Sequence, residues 1–227
     1  MALGFRIARR ERKVSAAAIS GFAGLPAANI SDVMARMSAG GPRLRPMHAG
    51  GALAGPAFTV KTRPGDNLMV HKALDIAEPG DVIVVDAGGD LTNAIIGEIM
   101  ATYAETRGIA GIVIDGAIRD SESLRASRFP VYAAGVTHRG PYKDGPGEIN
   151  VTVALDGMVI EPGDLIYGDA DGLVCVPFDA VEAICAAAKA KQAAEEATLA
   201  GMRAGRAQDR TWVDATLRRL GCNLEPE

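Results

Sequence analysis

Two short polar pairs, Gly97-Glu98 and Arg119-Asp120, flank a segment whose sequence predicts a helix followed by a buried strand. A helix that begins at a glycine presents backbone N–H groups with partial positive charge, which suits a carboxylate or an oxyanion. Arg119 can clamp the same anion through two parallel hydrogen bonds. Asp120 offers the hard oxygen ligand that a divalent cation prefers. These residue types together suit a small carboxylate substrate whose reaction builds negative charge beside a metal.

The order of helix and strand decides whether the two pairs can meet. The stretch IIGEIMATYAETRGIAGIVIDGAIRDSE, residues 95–122, starts a helix near Glu98 and ends a strand near Arg119. A helix and the strand that follows it run in opposite directions, so the helix start and the strand end lie on one side of a sheet. The alternative is an ordinary surface ion pair involving Arg119, which contributes at most about 1 kcal/mol. Local residues leave both interpretations open.

The surrounding chain predicts a mixed α/β fold with a β-rich core flanked by helices. From residue 50, β-branched runs alternate with helical stretches, in the order AFTVKT, NLMVHKALDIA, DVIVVDAG, TNAIIGEIMATYAETRG and IAGIVIDG. From residue 130 the pattern is strand after strand: VYAAG, INVTVAL, MVI, DLIYGD and LVCVP. Asp156-Gly157 predicts a hairpin turn between two of these strands. A final helix is expected from about Asp179 to Arg203.

The N-terminal region predicts two helices behind a basic arm. VSAAAISGFAGL and NISDVMARMSAG are helical in pattern, with Ser31 as the N-cap of the second and the Gly40-Gly41-Pro42 cluster as its end. RIARRERK, residues 6–13, predicts a solvated arm or helix start, the alternative being contact with an acidic partner. We therefore divide the chain into an arm and helix over 1–24, a main domain over 25–205 and a charged tail over 206–227.

One motif occurs twice. EPGDVIVVDAGGD at 78–90 and EPGDLIYGDADGL at 161–173 share Glu-Pro-Gly-Asp followed by a short strand. The Pro-Gly pair is typical of a tight turn, because proline fixes a negative φ and glycine supplies a positive one. Similar turn chemistry explains the repeat as well as an old duplication does, and in either case these segments are predicted to be scaffold.

Composition excludes several classes of function. A formal charge of −4 and 4% aromatic residues give no basic field or stacking surface, which argues against nucleic acid as a direct partner. No run approaches the ~18 apolar residues of a membrane span, so a cytoplasmic protein is expected. Three scattered cysteines predict reduced thiols, and three isolated histidines argue against zinc. Neither DAGGD nor HRGPYKDGPG, residues 138–147, matches a nucleotide-binding loop.

Several separated motifs resemble one family. GEIMATYAETRGIAGIVIDGAIRD, preceded by PGDVIVVDAGG and followed by PGDLIYGDADGLVCVP, resembles the family that contains the ribonuclease E activity regulator RraA and the 4-hydroxy-4-methyl-2-oxoglutarate aldolases. NISDVM and GDNLMVHKAL, residues 65–74, also match, and the resemblance covers residues 25–205. It implies a swivelling β/β/α-type domain that assembles as a trimer or a pair of trimers, with active sites at subunit boundaries.

The resemblance also implies roles for particular residues. Asp120 would anchor a divalent cation, Mg²⁺ or Mn²⁺, held largely through water, and Arg119 would bind the carboxylate or keto oxygen of a pyruvate-like substrate. The Glu98 carboxylate would orient metal-bound water. Backbone contacts to the other end of the substrate would come from Gly97, Glu98, Ile99 and Met100. A glutamate from a neighbouring subunit's C-terminal helix would assist, and Glu195 or Glu196 falls at that place.

The implied reaction is retro-aldol cleavage of a 4-hydroxy-2-oxo dicarboxylic acid to pyruvate and a second keto acid. Decarboxylation of oxaloacetate, which passes through the same enolate, is expected as a side activity. Arginine is a poor base because its pKa lies above ~12, so a metal-activated water is the easier proton acceptor. One position departs from the aldolase pattern: Ser123 stands where the aldolases have an acid three residues after the metal-binding aspartate, and Glu122 precedes it.

Two other functions remain open at this stage. One is a non-catalytic regulator, similar to RraA, that binds a ribonuclease or another protein. The other is an aldolase that forms a Schiff base through Lys61 or Lys72, since desolvated lysines can act as nucleophiles. For His71 and Lys72 the sequence favours helix positions packed under the site over a direct role.

Overall fold

The computed structural model describes residues 4–224 of the 227-residue chain. Its strands are β1 Phe5–Ile7, β2 Arg45–Pro46, β3 Leu53–Thr62, β4 Val82–Asp86, β5 Ala94–Ile96, β6 Gly111–Ile118, β7 Val131–Val136, β8 Gly147–Ile149, β9 Val153–Leu155, β10 Met158–Ile160, β11 Leu165–Gly168 and β12 Leu173–Val176. Its helices are α1 Ala16–Ser20, α2 Ala27–Val33, α3 Leu68–Ile76, α4 Glu98–Thr106, α5 Ser121–Ala126, α6 Val181–Arg203 and α7 Thr211–Arg219, with a 3₁₀ turn at Phe178–Ala180.

The chain divides into two compact units, residues 1–189 and 190–227, and the boundary falls within α6. The first unit contains all the strands and α1–α5, and its main sheet follows the order β1-β8-β3-β4-β6-β7-β2. The second unit is helical, with the end of α6 and the whole of α7. The mixed α/β class with a sheet-rich core is therefore confirmed. No helix among residues 4–224 combines the length and apolar character needed to cross a membrane.

Parallel strands form the centre of the sheet. β3 pairs with β4, β4 with β6, and β6 with β7, all in parallel, while β5 joins the end of β6. Parallel neighbours need crossover connections, and α3, α4 and α5 provide them between successive strands. Because the strands are parallel, their C-terminal ends lie at one edge of the sheet and the starts of α3, α4 and α5 follow near it.

Alternate side chains of the central strands enter two different cores. On one face Phe58, Ile83 and Ile112 pack with the apolar sides of α3 and α4. On the other face Ala57, Val82 and Val113 pack against the β9–β10 hairpin and β11. A third core joins α1, α2 and the start of α6 to β11 and β12. The sheet is thus covered on both faces, as its almost wholly apolar central strands require.

Several sequence predictions hold and others need correction. Asp156-Gly157 forms the two-residue turn of the β9–β10 hairpin, as predicted. Ser31 is not an N-cap, because α2 begins at Ala27 after Pro26. That helix also ends well before the glycine cluster, since Ala35 and Arg36 adopt positive φ angles of 54° and 63°. Five elements are not predicted from the sequence: the strands β1, β2 and β5 and the helices α5 and α7.

The repeated Glu-Pro-Gly-Asp motif builds the same turn twice. Gly80 and Gly163 have φ angles of +87° and +94°, which glycine adopts without strain. The Asp81 carboxylate accepts the Glu78 N–H at 2.9 Å, and the Asp164 carboxylate accepts the Glu161 N–H at 2.9 Å. Both aspartates are buried. Each turn therefore fixes the position at which the strand after it, β4 or β11, begins.

The basic arm contacts these turns through Arg10 and Arg12; most of its residues are exposed, as predicted, but Arg10 is buried and no helix starts there. Arg10 donates two hydrogen bonds to Asp81, at 2.8 and 3.0 Å, and lies over the Phe58 ring at 5.3 Å. Only 9% of the Arg10 side chain and none of the Asp81 side chain are exposed. Arg12 pairs with Glu161 near the second turn. The acidic groups that the arm contacts belong to its own chain.

We predict that Arg10→Met lowers the free energy of unfolding by roughly 3 kcal/mol, because removing one partner of a buried pair leaves the other charge uncompensated. Denaturant unfolding followed by circular dichroism measures the change. Arg9→Met is the matched control, since Arg9 is exposed beside it. Equal midpoints for the two variants would show that the buried pair contributes nothing.

Candidate active site

The structure brings Gly97-Glu98 and Arg119-Asp120 into contact. The Glu98 N–H, at the start of α4, donates to Oδ2 of Asp120 at 3.0 Å. The Arg119 N–H donates to the carbonyl of Ile96 at 3.0 Å, which continues the β5–β6 pairing to the end of the strand. The strand end and the helix start are therefore joined by both main-chain and side-chain bonds.

Gly97 permits this contact because a side chain would not fit there. A Cβ atom at Gly97 would lie 2.2 Å from Oδ2 of Asp120 and 2.9 Å from Cγ of Arg119. The backbone of Gly97 is extended, with φ −144° and ψ −163°, a conformation open to any residue. The requirement for glycine at this position thus comes from the space that the Arg119-Asp120 pair occupies.

Asp120 is held in an unusual conformation. Its φ and ψ angles are 53° and 39°, the left-handed region that costs a non-glycine residue roughly 1 kcal/mol or more. Such strain is concentrated at functional sites. The Asp120 carboxylate lies 3.7 Å from Nε of Arg119, and the two side chains are 40% and 43% exposed. Solvent and ligands can therefore reach both groups.

A cleft of about 290 Å³ opens beside this pair. One wall is the start of α4 with Arg119, and the other is formed by α3 and the loop at 140–143. The residues lining it are Asn67, His71, Ile95, Ile96, Gly97, Ile99, Met100, Arg119, Gly140, Pro141 and Lys143. Arg119 and Lys143 bring positive charge to the cleft from different segments of the chain, and the lining contains no acidic side chain. The cleft therefore suits an anion with more than one negative group.

The start of α4 contributes backbone donors to the cleft. Gly97, the N-cap residue, has no side chain that could cap this helix, and Ala101 is the first residue whose N–H bonds back to the Gly97 carbonyl, at 3.1 Å. The N–H groups of Ile99 and Met100 have no acceptor within the helix, as at any helix start. Glu98 differs, since its N–H is bound by Asp120. Of the four residues predicted to supply backbone contacts, Gly97, Ile99 and Met100 line the cleft, whereas the Glu98 N–H is already bound.

Asn67, directly before α3, bonds to residues of β5 and α4. Its Nδ2 donates to the Ile95 carbonyl at 2.8 Å and contacts Sδ of Met100 at 3.3 Å. The residue is 2% exposed, and its Oδ1 has no hydrogen-bond partner among the described residues. Asn67 thus lines the cleft while its Oδ1 is buried without a partner among the described residues.

His71 and Lys143 face the cleft from α3 and from the 140–143 loop. Burial lowers the pKa of His71, and the positive charge of Lys143 lowers it further, while Asp75 opposes both. The imidazole is therefore neutral at neutral pH, and Lys143 is the cation on this wall. Neutral His71 can accept a proton, which Arg119 cannot.

The sequence does not predict that α3 and the 140–143 loop line the cleft. It favours a helix position packed under the site for His71, which lines the cleft instead, and HRGPYKDGPG is notable in the sequence only because it matches no nucleotide-binding loop. The available signal was the GDNLMVHKAL motif, whose Asn67 and His71 lie one helical turn apart. Nothing local indicated Lys143, because a loop far along the chain brings it to α3.

The two lysines of the Schiff-base hypothesis lie elsewhere. Lys61 is exposed on β3. Lys72 lines a separate apolar groove with Phe5, Ile7 and Leu68. Neither residue reaches the cleft beside Arg119, so the structure gives no support to that alternative.

Glu195 lies on α6 in the second unit, where its carboxylate pairs with Lys191 at 2.8 Å. Glu196 is exposed beside it. Their predicted role in a neighbouring subunit's site stays a prediction. Ser123 and Glu122 both lie in the first turn of α5, directly after Asp120.

The residues at Asp120 fit one type of metal site. Within residues 4–224 no group of three His, Cys, Asp or Glu side chains is arranged to hold a metal ion. Asp120 nevertheless presents a half-exposed carboxylate, of which one oxygen is fixed by the Glu98 N–H. A single fixed carboxylate suits a hard cation such as Mg²⁺, which keeps several of its water ligands. It does not suit zinc, which requires several protein ligands.

Comparison with known proteins places the chain in a family. Residues 27–175 match the RraA-like family model, described as Aldolase/RraA. A protein of Halalkalibacterium halodurans, named "Putative 4-hydroxy-4-methyl-2-oxoglutarate aldolase", is 44% identical over 179 residues, which cover 79% of this chain and 85% of the relative.

Two solved structures show the same architecture. RraAS2 of Streptomyces coelicolor, titled an unusual member of the RNase ES inhibitor RraA family, superposes with a TM-score of 0.75 and 26% identity over 82% of this chain and 98% of its own. The RNA-processing inhibitor RraA from Thermus gives a TM-score of 0.62 and 32% identity over 67% and 92%. From the matched motifs, the shared fold and the extent of the match, this chain belongs to the RraA-like family of aldolases and RraA proteins.

Proposed function

We propose that this protein is a divalent-metal-dependent pyruvate aldolase. Its substrate would be a 4-hydroxy-2-oxo dicarboxylic acid, cleaved to pyruvate and a second keto acid, with oxaloacetate decarboxylation as a side activity. The observation that carries the proposal is the cleft without acidic lining, in which Arg119 and Lys143 face inward from two walls beside the Asp120 carboxylate. Two cations match the two carboxylates of such a substrate.

Arg119 and the start of α4 would bind the pyruvate half of the substrate. The Ile99 and Met100 N–H groups can accept a carboxylate at the positive end of the helix dipole. Arg119 lies next to them and supplies a fixed cation where the enolate oxygen develops charge. Lys143, on the opposite wall, would hold the distal carboxylate. The carbon–carbon bond that breaks would then lie between these two anchors.

A divalent cation bound at Asp120 would act as a Lewis acid toward the developing enolate. The chain's own part is to fix the Asp120 carboxylate through the Glu98 N–H and to leave it accessible. Among the described side chains that line the cleft, neutral His71 is suited to take the hydroxyl proton, because its lowered pKa keeps the imidazole unprotonated.

A second function is favoured by the solved relatives, two of which carry titles that describe inhibition of RNA processing or of a ribonuclease. In that case the cleft would be vestigial and the protein would act by binding a partner. Capture of a ribonuclease by the purified protein, together with no turnover of any keto acid, would favour this function over the aldolase.

The aldolase proposal predicts pyruvate release from 4-hydroxy-2-oxo dicarboxylic acids in the presence of Mg²⁺ or Mn²⁺, measured with a coupled pyruvate assay. EDTA should abolish the activity and added Mg²⁺ should restore it. Asp120→Asn should lower kcat/KM by about 10²-fold or more, because the amide removes the charge that holds the cation. Full activity in EDTA, or in Asp120→Asn, would rule out the metal-dependent mechanism.

Gly97→Ala should reduce kcat/KM at least ~10-fold, because the new methyl group displaces Asp120 and Arg119, and small misplacements of reacting groups are costly. The extended backbone at Gly97 accepts alanine, so the melting temperature should change little. Gly40→Ala is the matched control, since its Cβ would meet neighbouring atoms only at 3.5 Å and the site is elsewhere. Equal activity in the two variants would show that the close approach at Gly97 is irrelevant to catalysis.

Lys143→Met should raise KM for the dicarboxylic substrate by about 10-fold or more, the effect of losing one charge-assisted hydrogen bond. The kcat should fall less, because the distal carboxylate does not change charge in the reaction. Lys72→Met, on α3 but in the separate groove, controls for the loss of a surface charge. A KM that stays at the wild-type value would place the distal carboxylate away from Lys143.

A further inference from the structure

Asp66, just before α3, is a fully buried carboxylate with an unusually complete set of donors. Its Oδ2 accepts the Asp144 N–H at 2.7 Å, the Gly145 N–H at 2.9 Å and Nη2 of Arg63 at 3.1 Å. Its Oδ1 accepts the Leu68 N–H at 2.9 Å. A buried carboxylate is tolerated only when it is paired and hydrogen-bonded in this way.

These bonds join two segments that are distant in sequence. Leu68 begins α3, which carries His71, whereas Asp144 and Gly145 belong to the loop that carries Lys143. Main-chain bonds support the same junction, since the Asn67 N–H donates to the Tyr142 carbonyl at 3.0 Å and the Tyr142 N–H to the Gly65 carbonyl at 2.8 Å. Asp66 is the side chain at the centre of this junction.

Asp66 is not among the residues that line the cleft. The Asp66 side chain is fully buried, so a substrate in the cleft does not reach it. What the bonds fix is the position of the 140–146 loop relative to α3. The wall of the cleft that carries His71 and Lys143 consists of these two segments.

We propose that Asp66 is a positioning residue, which holds the 140–146 loop against α3 and thereby sets where Lys143 stands relative to His71. Removing the carboxylate would leave the buried Gly145 N–H without an acceptor and would take the acceptor from the part-buried Asp144 and Leu68 N–H groups. The loop would then separate from α3 to hydrate them and would carry Lys143 away. This inference concerns the geometry of the cleft and stands whether or not the protein is an aldolase.

Asp81 provides a matched comparison. It is likewise fully buried and accepts a turn N–H and an arginine. It lies at the start of β4, whereas Asp66 adjoins the cleft near the ends of the strands. Loss of the Asp81 carboxylate should therefore destabilise the fold without changing the cleft. Comparing the Asp66 and Asp81 variants therefore distinguishes a change in the geometry of the cleft from a general loss of stability.

The test is an NMR titration of His71 in the full chain, assigned by the signal that His71→Gln removes among three histidines. Because burial and Lys143 both lower the pKa of His71, Lys143→Met should raise it. Asp66→Ala should raise it at least as much, by exposing the ring and removing Lys143 together. Asp81→Ala should leave it unchanged. Adding Lys143→Met to Asp66→Ala should change the His71 pKa little further, because Lys143 has already moved away from His71 in Asp66→Ala and the two effects are not additive.

Asp66→Asn is the conservative variant, which can keep its amide oxygen toward the loop and should give an intermediate shift. An unchanged His71 pKa in Asp66→Ala, or an undiminished effect of Lys143→Met in that background, would overturn the proposal. Hydrogen exchange of the wild-type protein tests it without any variant. The Asp144 and Gly145 amides should be protected, and exchange at the rate of an unfolded peptide would also overturn it.

Discussion

The close approach between the start of α4 and the end of β6 determines the rest of this site. Oδ2 of Asp120 occupies the place where a side chain at Gly97 would stand, and it accepts the first N–H of the helix. That single contact fixes the carboxylate and brings the positive end of α4 next to Arg119. It is made by an aspartate whose backbone is left-handed. Stability alone does not call for such an arrangement, because both side chains remain accessible and an exposed pair contributes little.

The use made of each aspartate distinguishes scaffold from site. Asp66, Asp81 and Asp164 are buried, and each accepts N–H groups in a turn. Asp120 is half-exposed and accepts one main-chain N–H, so it retains lone pairs for a ligand. The same side chain thus serves two purposes, and the number of donors that the fold supplies to each carboxylate determines which purpose it serves.

The part of this architecture that could be predicted from sequence is the part set by local chemistry. The Asp156-Gly157 turn, α3, and the meeting of Gly97-Glu98 with Arg119-Asp120 follow from turn residues, helical periodicity and the opposite directions of a helix and its next strand. The opposite wall could not be obtained in this way. Lys143 lines the cleft with His71 because a loop from far along the chain is bonded to the residues before α3, through the Asp66 carboxylate and through the main chain of Tyr142. Neither propensity nor spacing encodes these contacts.

The basic arm, residues 6–13, is a second case in which a long-range contact could not be predicted from local sequence. Its composition resembles a solvated tail, yet Arg10 is buried because Asp81 is already fixed in the first Glu-Pro-Gly-Asp turn and needs a compensating cation. The second turn attracts Arg12 through Glu161. Both turns stand at strand starts, whereas Arg119 and Asp120 follow the end of β6, so these two ionic contacts lie apart from the charges available to a ligand. Asp66 does adjoin the cleft, but its carboxylate is already bound by Arg63 and by main-chain N–H groups. Arg119 and Lys143 therefore line the cleft without a carboxylate in the same lining.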